Sequence, residues 1–488
     1  MSHLTIEKVN EVYLKITTEP HVEHELKDRF TFEVPNKKFM PQYRSKYWDG
    51  YVHLYNLKTK RIYVGLLDKI IAFCENAGYT YNFKENKFYG LPFEVNDEVN
   101  KEGVKGFMGA ISPEIKPRDY QVDGVYDALR YNRKLLISPT GSGKSFMIYC
   151  VVRYHVAKKN RILLVVPTTS LVEQMYKDFQ QYGWDVENHC HRIYAGRERV
   201  NTNEVTITTW QSVYQLDKKF FEEYDVVIGD EAHLFKSKSL VGIMGKLADA
   251  KYRYGFTGTL DGSQTHKWVL EGLFGPSYKV TGTKKLQDEG YLASLDIQCL
   301  VLKYKPQKFD TYEDEIQFLI GHEKRNNFIS NLTVDTKGNT LVLFARVEKH
   351  GAVLYDLINN KVKGDRKVFF IHGGVDAEDR EQVREITERE DDAIIVASYG
   401  TFSTGINIKK LHNVIFASPS KSRVRNLQSI GRVLRKGKDK TKAKLYDIAD
   451  DLTIGSRKNY TLNHFIERIK TYVSEQFNYD ITTVNIKE

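Results

Sequence analysis

Eight consecutive residues constrain this chain more than any other stretch: Ser138, Pro139, Thr140, Gly141, Ser142, Gly143, Lys144 and Ser145. A short apolar run at 135–137 precedes them, and an apolar helical segment opens near Phe146. A strand that ends in a glycine-bearing loop and opens a helix turns backbone N–H groups toward an anion, and the helix N-terminus adds the positive end of its dipole. Thr140, Gly141, Ser142 and Gly143 form that cradle. Lys144 reaches the β- and γ-phosphates of a nucleotide as a mobile cation, and the Ser145 hydroxyl completes the shell of a Mg²⁺ ion bridging them. Ser138 stands where the strict pattern has glycine. Gly-Lys-Ser alone is a common tripeptide, and the strand before it and the helix after it are what make it a nucleotide site.

A chain of 488 residues is too long for one core, so two to four domains are expected. With 41% apolar and 28% charged residues the composition is globular rather than disordered. A net charge of +10 favours a polyanionic partner such as nucleic acid, against the blander reading that lysine-rich surfaces serve solubility. The four cysteines, Cys74, Cys150, Cys190 and Cys299, have no paired spacing and read as free thiols of a reducing compartment. His189, Cys190 and His191 are immediate neighbours, a poor arrangement for converging on one ion. No apolar run approaches a membrane span and no leader-like segment opens the chain, so a cytoplasmic protein with no membrane partner is expected.

Residues 1–100 read as a small α+β accessory domain, with strands at 11–17, 30–34 and 51–57 and a helix at 65–77 spaced by Leu66, Ile70, Ile71 and Cys74. Between strands lies the basic, aromatic stretch Arg44, Ser45, Lys46, Tyr47, Trp48, Asp49, Gly50. It is either a nucleic-acid contact or a hairpin turn at Asp49-Gly50 with Trp48 folded into the core. Residues 101–117 carry Gly103, Gly106, Gly109, Pro113 and Pro117 and read as a linker. Arg118, Asp119, Tyr120 and Gln121 then open an amphipathic helix leading into the phosphate loop. The Gln121 amide offers the donor and acceptor that match the N6 and N7 edge of adenine.

Over 118–290 strands and helices alternate. Continuous apolar strands at 162–166, 205–208, 226–230 and 252–256, separated by helices, imply a parallel sheet covered on both faces, with ligands at the carboxyl ends of its strands. Thr168, Thr169, Thr209 and Gln211 stand at such ends, where they contact a nucleic-acid backbone or cap the following helices. The strand at 226–230 delivers Asp230 and Glu231 side by side, followed by Ala232 and His233. Because side chains alternate in direction, Asp230 can hold the Mg²⁺ while Glu231 takes a proton from the water attacking the γ-phosphate. His233 is placed to relay between this site and Thr257, Gly258 and Thr259 after the next strand.

Residues 291–455 repeat the architecture without a phosphate loop of their own. Strands are expected at 297–304, 340–344, 367–371, 393–397 and 414–417 and a helix around 325–332. His372 follows one strand end, and Ser403 and Thr404 sit in a polar turn suited to backbone contacts. Gln428, Arg432 and Arg435 fall at i, i+4 and i+7, one face of a helix, with Lys436, Lys438 and Lys440 solvated beyond it. The two guanidiniums are either solvated too or reach the transferring phosphate, where such an arginine raises the rate by roughly 10³ to 10⁵. Residues 456–488 read as a helical tail packed by Leu462, Phe465, Ile466, Ile469 and Val473.

In this order, these residues resemble the ATPase core of superfamily-two helicases, whose signature box matches Asp230-Glu231-Ala232-His233. The resemblance implies Gln121 on adenine, Thr257 and Thr259 coupling hydrolysis to nucleic-acid contact, Arg435 as arginine finger and Arg432 as a close phosphate ligand beside Gln428. Thr-Gly-Thr replaces the Ser-Ala-Thr of many members. Across almost the whole chain, the N-terminal domain with Tyr47-Trp48-Asp49-Gly50, the segments Val166-Pro167-Thr168-Thr169 and Thr208-Thr209-Trp210-Gln211, and Ala397-Ser398-Tyr399-Gly400 before Ser403-Thr404-Gly405 look like the UvsW helicases of tailed bacteriophages. The resemblance implies an α/β fold of two tandem RecA-like parallel-sheet lobes, ATP and Mg²⁺ in the cleft between them, and a monomer acting on branched DNA and RNA–DNA hybrids alongside recombination or single-strand-binding proteins. Two alternatives share the same boxes: a nucleic-acid-binding switch that hydrolyses ATP without unwinding, and the motor subunit of an ATP-dependent nuclease.

Overall fold

The computed structural model describes residues 2–35, 37–194, 203–405, 408–418, 420–436 and 440–486, the side chains of 377 and 403–405 excepted. Two compact units divide the chain, residues 1–138 with 143–280, and residues 281–488 with Pro139–Ser142.

The N-terminal domain is a four-stranded mixed sheet in the order Arg61–Tyr63, Tyr13–Thr17, His3–Lys8, Thr80–Lys84, with only the last pair parallel. Helices Pro20–Arg29 and Leu67–Ala77 cover it, burying Val22, Leu26, Ile70 and Cys74 at helical spacing. Trp268, from helix Gln264–Phe274 of the first lobe, completes this core against Phe30 and Phe32. The N-terminal domain and the first lobe also meet where Gly65 lies on the Glu271 carbonyl with no room for a Cβ, and where Arg133 pairs with Glu11. The domain is therefore built onto the first lobe rather than tethered to it.

The hairpin reading of Trp48 fails. Thr31–Glu33 and Tyr51–His53 pair antiparallel, but the intervening chain forms a 3₁₀ turn, Lys37–Phe39, and a one-turn helix, Pro41–Arg44. Trp48 is half-buried and donates its indole N–H to Tyr51 O (2.8 Å), whereas Tyr47 is 93% exposed. Residues 101–117 are corrected as well, since Lys101–Ile111 is a helix capped by the Asn100 side chain on Gly103 N (2.8 Å). Val104 and Met108, four apart, bury its inner face, while Gly103 and Gly106 lie on its solvent side.

The first lobe is a seven-stranded parallel sheet in the order Ser277–Lys279, Arg133–Ile137, Tyr252–Thr257, Val226–Asp230, Ile162–Val166, Val205–Thr209, Cys190–Ile193. Its central strands are buried on both faces, as their unbroken apolar runs require.

The second lobe is also seven-stranded and parallel, in the order Val368–Ile371, Ile394–Ser398, Thr340–Phe344, Asn413–Phe416, Lys442–Asp451, Ser294–Lys303, Asn478–Asn485. Both seven-stranded sheets have the expected α/β class. The helical tail is corrected: helix Tyr460–Ser474 is followed by the strand Asn478–Asn485, which joins the sheet edge along Ser294–Lys303. Its largely exposed, polar side chains suit an edge position and hide it from an apolar pattern. The polar turn expected around 403 is the helix Tyr399–Gly405.

Candidate functional site

Three neighbouring strands of the first lobe build the site. Arg133–Ile137 runs into the phosphate loop, Tyr252–Thr257 lies beside it, and Val226–Asp230 comes next. Adjacent strands are about 4.8 Å apart, so whatever stands at their carboxyl ends converges. The loop is pinned to the sheet by Ser138 N donating to Thr257 O (2.8 Å). It then turns through Gly141 (φ 86°) and Gly143 (φ 82°), left-handed values that glycine adopts without strain, before helix Lys144–Ala157 begins.

Lys144 Nζ lies 3.0 Å from Asp230 Oδ1 and 2.9 Å from Glu231 Oε1. Burial works against the ammonium, yet the two carboxylates hold its pKa above the ordinary lysine value. Burial, together with the Glu231 charge, raises Asp230 despite Lys144. Glu231 is held well below the carboxylate range, because Lys144 and His233 outweigh its burial. Glu231 itself sits at φ 50°, ψ 48°, a left-handed conformation that costs a non-glycine residue about 1–3 kcal/mol. The 3₁₀ turn Ala232–Leu234 follows directly.

His233 Nδ1 is 3.0 Å from Thr257 Oγ1 and 3.3 Å from Glu231 Oε2. The Thr257 hydroxyl donates to Thr259 O (3.2 Å), which assigns the hydrogen between them to Nδ1 of His233. The structure thus brings Lys144, Asp230, Glu231, His233, Thr257 and the Thr259 backbone into one connected group. Gln121 is buried at the start of helix Asp119–Tyr131; its Oε1 accepts from Arg118 N (3.0 Å), and its amide nitrogen fills the space a Cβ on Gly143 would need. Ser145 stands in the first turn after the loop, and with Asp230 it supplies hard oxygen donors of the kind Mg²⁺ prefers.

Other predicted residues are placed differently. Thr168 caps helix Thr169–Gln181 by accepting from Leu171 N (3.3 Å), and the buried Thr209 hydroxyl meets Ser212 Oγ at 2.9 Å. Thr169 and Gln211 are exposed. His372 accepts from Gly374 N (3.1 Å) within its own turn, and the side chains of Ser403 and Thr404 lie outside the described residues.

In the second lobe, helix Arg423–Val433 carries Gln428 and Arg432, with Arg432 over the Phe402 ring at 5.5 Å. Arg435 does not continue that face. The helix ends at the Leu434 cap, and Arg435 instead forms an antiparallel bridge with Leu292. Lys440, expected in solvent, is 3% exposed and donates to the carbonyls of Val433 and Arg435, taking acceptors that the helix end leaves unpaired. Lys438 lies outside the described residues. His266, missed in the sequence because a lone histidine on a helix carries no signal, touches the His233 carbonyl at 2.8 Å.

The ATP-dependent DNA helicase UvsW of Enterobacteria phage T4 is 32% identical over 97% of this chain and 98% of its own. The chain belongs to the UvsW family of DNA helicases. The family model described as DNA helicase UvsW, N-terminal, matches residues 5–84; Type III restriction enzyme, res subunit, matches 114–262; and Helicase conserved C-terminal domain matches 323–437. The crystal structure of T4 UvsW covers 99% of this helicase and 99% of its own chain at 31% identity, with a TM-score of 0.52. A putative HsdR subunit of a type I restriction enzyme from Vibrio vulnificus shares the fold alone, with a TM-score of 0.59 at 19% identity over 85% of this chain and 74% of that one. No helix among the described residues is long and apolar enough to cross a membrane.

Proposed function

We propose that this UvsW-family helicase is an ATP-driven motor that remodels branched nucleic acids, regressing forks, migrating junctions and unwinding RNA–DNA hybrids. The observation that carries the reading is the Lys144–Asp230–Glu231 cluster at the carboxyl ends of two strands that flank Tyr252–Thr257, an ammonium held by two carboxylates until a more highly charged ligand competes for it. On ATP binding Lys144 moves to the β- and γ-phosphates, leaving Glu231 ionised and ready to take a proton from the attacking water. Ser145 and Asp230 would hold Mg²⁺, which neutralises charge on the phosphates.

Gln121 reads adenine through its side-chain amide. His233, Thr257 and Thr259 carry the state of the phosphate to the nucleic-acid contacts. Arg435 is assigned to the charge developing on the transferring phosphoryl group, with Arg432 as phosphate ligand and Gln428 beside them. Thr169 and Gln211, being exposed, suit backbone contact better than Thr168, whose hydroxyl caps its helix, and Thr209, whose hydroxyl is paired with Ser212. His372, Ser403 and Thr404 complete the contact set.

A strand-displacement assay on forked duplexes, four-way junctions and RNA–DNA hybrids tests the reading. ATP-dependent displacement is expected on all three, weakening steeply with salt as neutralised phosphates release counterions. Hydrolysis without displacement would instead identify a binding switch, and cleavage products would identify a nuclease motor.

A further inference from the structure

The turn that presents Glu231 is held from behind by a group outside the helicase boxes. His266 lies in the first turn of helix Gln264–Phe274 and is 4% exposed. Its Nε2 is 2.8 Å from the His233 carbonyl, within the 3₁₀ turn Ala232–Leu234. Its Nδ1 is 2.8 Å from Asp261 Oδ2. Asp261 is fixed in turn: its Oδ1 accepts from Ser263 N (2.9 Å) and Ser263 Oγ (2.8 Å), and Lys236 Nζ lies 3.0 Å from Oδ2. Burial opposes the Asp261 charge, yet His266 and Ser263 hold its carboxyl below the usual range. A buried ring bridging an anchored carboxylate and one backbone carbonyl sets the position of that carbonyl.

The helix that carries His266 is itself immobilised. Trp268, two residues on, is packed in the N-terminal domain core, with Phe30 at 5.4 Å, Phe32 at 5.1 Å and the Arg29 guanidinium at 5.0 Å from its ring. Farther along, Gly272 packs on the Tyr63 ring and the Glu271 carbonyl lies against Gly65. The left-handed geometry at Glu231 is held locally by Glu231 N on Asp230 Oδ1 (2.9 Å) and Leu234 N on Glu231 O (3.0 Å), and His266 adds a brace from outside the turn.

We infer that His266 is a positioning residue for ATP hydrolysis, fixing the Glu231–His233 turn to a helix that the N-terminal domain holds still. The inference rests on the reading of Glu231 as the hydrolytic carboxylate. A displaced turn misplaces that carboxylate without altering the phosphate cradle, so it lowers kcat and spares KM.

The test uses the full-length protein with saturating nucleic acid. H266A is expected to lose about tenfold in kcat with KM for ATP within about twofold of wild type. H266Q, whose amide N–H can still reach the His233 carbonyl, is expected to recover most of that loss, and D261N to fall between the two. Wild-type kcat in H266A overturns the inference, as does an equal loss in H266A and H266Q. Should H266A fail to fold, D261N decides: lower kcat at unchanged KM supports the inference and wild-type kcat overturns it. E231Q separates the two readings. If E231Q is inactive while H266A turns over normally, only the bracing role is lost; if E231Q turns over normally, the Glu231 assignment is lost.

Discussion

The two lobes share a seven-stranded parallel architecture and use buried charge in opposite ways. In the first lobe, Lys144, Asp230 and Glu231 meet at strand ends, and the side chains of Lys144 and Glu231 are 18% and 25% exposed. In the second, Arg325 with Asp450 and Arg468 with Asp447 are sealed in the core at 0–2% exposure. Tyr304 and Tyr472 donate to the aspartates, and the arginines donate onward to the Ala417 and Ser420 carbonyls, although Arg325 Nη1 is buried without a partner. Closed pairs of this kind cohere a fold, whereas an open cluster can exchange partners with a ligand. The same sheet thus holds an open charged cluster in one lobe and sealed ion pairs in the other.

The comparison breaks most readily at Lys144. Lys144→Ala is expected to lower ATP hydrolysis by about 10³-fold or more while leaving thermal unfolding near wild type; a large fall in melting temperature would make the first-lobe cluster structural too. Arg435→Ala should lose about 10³-fold in turnover while still binding nucleotide in an equilibrium titration. Unchanged turnover would remove the finger assignment from Arg435. Arg468→Met should cost about 3–5 kcal/mol in urea unfolding, since it strands the buried Asp447. A cost below about 1 kcal/mol would mean that the sealed pairs add little.

Acidification separates the lobes differently, because each contains a deeply buried histidine that burial keeps neutral. Burial pushes His155 and His350 down to about 3. Their folded values lie below the unfolded one, so the unfolded chain binds protons first. Stability is then fully present above about pH 6.5 and is lost toward pH 3, at about 1.4 kcal/mol per unit for each group. Urea midpoints measured from pH 7 to pH 4 should fall accordingly, and His350→Phe should flatten the second-lobe transition. The smallest effect is local: Asn100→Ala should cost about 1 kcal/mol by removing the cap of Lys101–Ile111.

The strands Ile162–Val166 and Thr340–Phe344 were legible in the sequence because both faces of each are buried and their apolar runs are continuous. Lys442–Asp451 was not, because Asp447 and Asp450, buried against distant arginines, interrupt its apolar pattern. Glycines on a solvent face concealed the helix Lys101–Ile111, whose inner face rests on Val104 and Met108. Of the site, Lys144, Asp230, Glu231, His233 and Thr257 were legible because each stands at the end of a readable strand or loop. Spacing alone put Arg435 on the Gln428 and Arg432 face, but the helix stops one residue before Leu434 and the bridge to Leu292 redirects the chain. His266 and Asp261 act through backbone and second contacts, which no local pattern encodes.

Single-turnover hydrolysis of ATP by the Glu231→Gln protein, saturated with nucleic acid, tests the central claim most directly. ATP is expected to bind with wild-type affinity and to be cleaved at least about 10²-fold more slowly, because the cradle is intact and the base is gone. Cleavage at the wild-type rate would contradict that claim and remove the Lys144–Asp230–Glu231 cluster from the chemistry.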